Sequence, residues 1–192
     1  MLPPKKIPLI ISKNLENNTI IEQTRNWVQR FVIGLNMCPF AAYPMENKLV
    51  RFVVFPGDNL QDLLQVFAQE LVHLRRTPVS ELETTLIIIP HFLADFQDFL
   101  NVVPITEEIL KLQNMTGEFQ VATFHPRYQF AGTQPHDLEN YTNRSPYPML
   151  HILREDSVEK AIEKYGNTEM IPVQNVALLE VMGLEEILKL IK

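Results

Sequence analysis

Apolar and polar positions change rhythm along this chain in a way that separates helices from strands. Ile21, Thr24, Val28, Phe31, Val32 and Leu35 recur at helical spacing behind a Thr19–Glu22 capping box, which predicts a first helix over about residues 20–35. Residues 49–55 (LVRFVVF) are a β-branched and aromatic run closed by Pro56-Gly57, the mark of a strand. Asp58 or Asn59 then caps a second helix carrying one stripe, Leu60, Leu63, Leu64, Phe67, Leu71 and Leu74, which stops at Arg75-Arg76-Thr77-Pro78. Residues 84–90 (TTLIIIP) show no polar alternation, as expected of a central strand covered on both faces.

Residues 92–115 are helical in character, with Pro104 predicting a kink or two consecutive helices and Gly117 ending them. A third strand is expected over 118–124 and a fourth over 148–155, joined by a long polar loop. A short helix from Asp156 or Ser157 to Gly166 follows, then one or two more over 172–191, interrupted near Gly183. Residues 1–17 lack periodicity and read as an N-terminal arm, in which Ile7 to Ile11 would serve at most as an edge strand.

The order predicts a single α/β (or α+β) layered domain over 18–192, with about four strands in a mainly parallel sheet. The direction of the fourth strand is left open.

Composition narrows the function classes. A net charge of -6 argues against a nucleic-acid surface while leaving room for a local basic pocket. The single cysteine, Cys38, excludes an internal disulfide framework and fits a reducing, cytoplasmic setting. The N-terminal apolar run is too short for a signal peptide or a membrane span. Dinucleotide, phosphate-loop, zinc-protease, nucleophile-elbow and C-x-x-C motifs are all absent, so no cofactor is indicated.

Candidate chemistry therefore rests on position. Ligands of open α/β sheets bind beyond the carboxyl ends of the strands, where His91, His125 and the loop from Arg127 to Tyr147 fall. A loop of that length is usually functional or disordered, and its aromatic residues argue against disorder. Arg144 and Arg127, with Arg25 or Arg154, would present guanidinium forks to a phosphate or carboxylate. Asn140, Tyr128, Gln129 and Ser145 would orient the substrate, and His125 would move protons.

The bland alternatives are arginines that pair with neighbouring carboxylates, a strand-end His125 bonded to a carbonyl, and a core His151. Cys38, as N-cap of a turn begun by Pro39, would have its thiol pKa lowered and act as a nucleophile with His125 or His151. A buried structural cysteine is the commoner fate of such a residue. A metal site from His91, His125 and His151 is conceivable, although the spacing is not diagnostic.

The segments RNWVQRFVIGLNMCPF (from Arg25), ETTLIIIP (from Glu83), FQVATFHPRYQFAG (from Phe119) and ENYTNRSPYPMLHILRE (from Glu139) resemble the bacterial family known as domain of unknown function fourteen-fifteen. The resemblance covers nearly the whole chain. It implies a single-domain bacterial cytoplasmic protein and brings no established activity.

Taken together, the sequence leads to an expected enzyme that acts on a small anionic metabolite by group transfer or hydrolysis. The competing expectation is a non-catalytic ligand sensor or protein-binding module, with the face of the first helix that carries Trp27 as its docking surface. Oligomeric state is not legible.

Overall fold

The computed structural model describes residues 9–191, and side chains from residue 15 onward. Its elements in chain order are α1 (Leu9–Trp27), α2 (Ala42–Glu46), β1 (Val50–Val54), α3 (Leu60–Arg76), β2 (Thr84–Ile88), α4 (Phe96–Leu112), β3 (Phe119–Phe124), β4 (Met149–Arg154), α5 (Glu155–Tyr165) and α6 (Met170–Ile191).

The four strands form one sheet in the order β1-β2-β4-β3. β1 and β2 pair parallel across the α3 crossover, whereas β4 is antiparallel to both β2 and β3. The expected mainly parallel sheet is thus corrected to one parallel and two antiparallel pairings. The reason lies in the loop after β3: it returns at the edge it left, so β4 must run back down the sheet, with Met149 opposite both Ile88 and Phe124. β4 is inserted between two strands and has fully buried residues on each face, so its apolar run mimics a parallel strand. β1, β2 and β3 still share one direction, and their carboxyl ends meet the start of β4 at one edge.

Helices cover both faces. On one, Leu63, Phe67, Leu71 and Leu74 of α3 and Phe99, Val102 and Leu110 of α4 pack on Ile87, Leu150 and Ile152. On the other, Ile20, Trp27, Val28 and Phe31 join Leu179 and Ile187 of α6 over Leu86, Ile88 and Met149. Trp27 is 2% exposed and meets the Phe124 ring edge-on at 5.3 Å, which removes it from any docking surface. The sequence reading did not count it as part of the apolar stripe, although it stands three residues after Thr24 and four before Phe31.

Asn59 is the cap of α3, its Oδ1 accepting from Asp62 N–H at 2.9 Å. α4 passes through Pro104 as one helix rather than two, and α6 is broken at Gly183, where φ is 75°.

The N-terminal arm is corrected for residues 9–17, which are already part of α1; the rest of it lies outside the described residues. Thr19 caps nothing. Its hydroxyl donates back to Leu15 O within the helix, a bond that the same sequence pattern permits. Beyond Trp27 the helix widens into a π-helical stretch, Val28–Ile33, with Gly34 N–H donating to Gln29 O. A Cβ at Gly34 would stand 2.4 Å from Arg30 O, so only glycine fits there. Among the described residues no helix is long and apolar enough to cross a membrane.

Candidate functional site

The loop between β3 and β4 is a folded structure held by the polar residues that had suggested chemistry. Its centre is a 3-10 turn, Leu138–Asn143. Asn140 is fully buried: its Oδ1 accepts from Phe130 N–H and Thr133 Oγ1, and its Nδ2 donates to Gln134 O. Gln129 Nε2 donates to Thr133 O, Ser145 Oγ donates to Tyr147 O, and Tyr128 packs on Phe96 and Phe130. Arg144 stacks over Tyr141 at 4.2 Å and donates to Tyr128 O and Pro135 O. Arg127 reaches Ala94 O and the Asp95 carboxylate. Asp95 is held below the usual carboxylate range, mostly by the N–H groups of Asp98 and Gln97 that it caps.

His125 is 0% exposed, its ring between Phe96 and Phe99. Its Nε2 lies 3.0 Å from Leu93 O, and Nδ1 accepts from Arg127 N–H at 2.9 Å. A carbonyl can only accept, so Nε2 carries the proton. Both ring nitrogens are spent on the fold, and burial pushes the pKa below its ordinary value. The carbonyl it holds belongs to Leu93, whose φ of 57° is unusual for a branched side chain. His125 therefore fixes a strained corner ahead of α4, and no ring nitrogen remains for proton transfer to a substrate.

The remaining candidates do not converge on that loop. Arg154 donates to Leu74 O, Thr77 O and Leu82 O, closing the C-terminus of α3 at the opposite edge of the sheet. Arg25 lies 4.5 Å over the Phe52 ring, in the middle of β1. His91 faces Glu16 at 3.3 Å. His151 points to the face covered by α1 and α6, with Nε2 2.7 Å from Thr84 Oγ1, and burial lowers its pKa to about 4. Because the sheet separates His125 from His151, the two cannot share a metal. Among the described residues no group of three metal-ligating side chains exists.

What the carboxyl edge does hold is a cleft of about 510 Å³, on the α1/α6 side of the sheet and on the inner face of the loop. That volume falls within the roughly 300–1,000 Å³ of small-molecule sites. Four segments build it: Val32 with Met37 and Cys38, Phe124 with Phe130, Glu139 with Thr142 and Asn143, and Pro172 with Asn175 and Val176 of α6. The π-helical stretch delivers Val32, and Met37 N–H donates to Val32 O at 2.8 Å as the chain turns. Asn175 Nδ2 donates to Met37 O at 2.8 Å and Asn143 Nδ2 to Thr123 O at 3.2 Å, so the walls are tied to one another and to the sheet.

Cys38 is the one predicted site residue in this cleft. Its environment is the reverse of the expected one: burial pushes the thiol above its ordinary pKa, and the N–H groups of Phe40 and Ala41 at its sulfur do not overcome that. Neither histidine is its partner, since His125 is across the sheet and His151 is bonded to Thr84. Sequence reasoning missed Thr142, Asn175 and the α6 wall, which come together only in three dimensions. Glu139 and Asn143 lie within the loop from Arg127 to Tyr147 that the sequence singled out, without sign of the cavity beneath them.

Fold and site define an α/β domain with helices on both faces of a mixed sheet and a small-molecule-sized cleft at its carboxyl edge. A model of the family described as "Protein of unknown function (DUF1415)" matches residues 19–189, and the chain belongs to that family. No curated protein and no solved structure matches it.

Proposed function

We propose that the protein is a ligand-binding module whose small organic ligand sits in the Cys38 cleft. The single observation that supports this is the cleft itself: apolar walls and a few polar groups at the sheet edge where such folds bind ligands. Binding is favoured over catalysis because, among the described residues, the cleft lining holds no histidine to move a proton near neutral pH. The thiol is held protonated by burial, and His125 and His151 are engaged elsewhere. The setting we propose, from the family resemblance and the lone cysteine, is the bacterial cytoplasm.

A second reading keeps an enzyme for a small anionic metabolite. It is favoured by Arg144, whose guanidinium bonds two carbonyl oxygens and, among the described residues, no carboxylate. The Val176→Trp variant separates the two. A metabolite library is screened for compounds that raise the melting temperature, then repeated on the variant, whose larger ring fills the α6 side of the cleft. We expect the stabilised hits to be lost while the unliganded melting temperature stays within a few degrees. Hits that persist, and that prove to be phosphates or carboxylates, contradict the binding role and favour the Arg144 reading.

A further inference from the structure

We infer that the ligand of the cleft carries a positive charge, as an aromatic or branched aliphatic amine, with Glu139 as its counter-ion. The inference rests on the binding role proposed above and adds the chemical class.

It follows from which hydrogen-bonding atoms the fold has already used. Each of the two amides in the wall has spent one of its two N–H donors: Asn175 Nδ2 on Met37 O, and Asn143 Nδ2 on Thr123 O. Their carbonyl partners fix the amide orientation, leaving each side chain its Oδ1 acceptor and one further N–H. Thr142 has one hydroxyl proton, and the shorter of its two contacts, 2.8 Å, directs it to Glu139 O. Among the described residues the Glu139 carboxylate makes no ion pair or hydrogen bond, and it is half-buried.

Among the described residues no Lys or Arg lines the cleft, and Glu139 is the only formal charge there. The polar lining that remains is thus richer in acceptors than in donors, with one N–H on each amide and the weak Cys38 thiol set against the Glu139 carboxylate, the two Oδ1 atoms and Thr142 Oγ1. An ammonium brings three donors and no acceptor, which is the complement. Phe124 and Phe130 add aromatic walls suited to a ring and to a neighbouring cation. A carboxylate or phosphate would meet Glu139 as a like charge with no cation in the lining to offset it.

Three probes of nearly equal shape test this: 4-phenylbutylamine, 4-phenylbutanol and 4-phenylbutyrate, titrated by calorimetry into the full chain. Trp27 is the sole tryptophan and touches Phe124, so its fluorescence gives an independent readout of cleft occupancy. The amine is expected to bind about tenfold or more tightly than the alcohol, the scale of one charge-assisted hydrogen bond, with the carboxylate weakest. Glu139→Gln should erase that preference at an unchanged melting temperature. Equal binding of amine and alcohol, a preference for phenylbutyrate, or an amine preference that survives Glu139→Gln would overturn the charge assignment and leave the cleft as the site. Amine binding unchanged in Val176→Trp would place the ligand elsewhere and overturn the binding role as well.

Discussion

His125, just past the end of β3, and His151, within β4, both have lowered pKa values, yet they act differently. His125 uses both ring nitrogens and spans from β3 to the corner before α4, whereas His151 hands its proton to Thr84, whose hydroxyl donates on to Ile152 O at 2.6 Å. The pH consequence is sharper for His151. Its folded pKa of about 4 lies below the ordinary 6.5, so above pH 6.5 both folded and unfolded chains carry it neutral and it contributes no slope. Between 6.5 and about 4 the unfolded state binds a proton that the native state refuses, and stability falls as pH falls. The loss attributable to this residue is on the order of 3 kcal/mol at most. Urea denaturation at pH 7, 5.5 and 4.5 should therefore show a shallower acid loss in His151→Gln than in the wild type. Parallel losses in both would mean that His151 is not kept neutral by the fold.

At the level of elements, amphipathic stripes and caps were legible where local physics decides them. The α3 stripe, its Asn59 cap and the Gly183 break all stand where the pattern put them. What failed was local signal with two meanings. Thr19 with Glu22 fits a helix start, but a threonine inside a helix satisfies its hydroxyl equally well on the carbonyl four residues back. Trp27 was left off the stripe although it stands three residues after Thr24 and four before Phe31, so ordinary helical spacing already puts it on the buried face. Pro104 was expected to kink the helix or divide it in two; the helix is not divided and continues through it with the proline exposed. That continuity has a cost, since the ring removes one amide donor and crowds the preceding turn. Pro104→Ala should stabilise the protein by about 1–2 kcal/mol, the helix-propensity gain less the unfolded-state entropy that proline had removed. An unfolding midpoint that drops instead would show that the proline ring makes a packing contact of its own.

The whole molecule explains why this edge of the sheet stood out in the sequence while the cleft beneath the loop did not. A long polar loop leaving a central strand marked this edge, and the common direction of β1, β2 and β3 that their helical connections imply is the observed one. Which face of the loop holds the cavity depends on Val32, Cys38 and Val176, far from the loop in sequence, and on β4 turning back between β2 and β3. The arginines that suggested an anion are used as struts to carbonyl oxygens and Asp95, a role that sequence cannot separate from ligand binding. The central claim is that the ligand lies under the loop rather than on it. Amide chemical-shift mapping with a bound hit tests it most directly. Shifts concentrated at 32–38, 124–130, 139–143 and 172–176 are predicted; shifts confined to 91–95, Arg127 and the Pro135–His136 surface would contradict it.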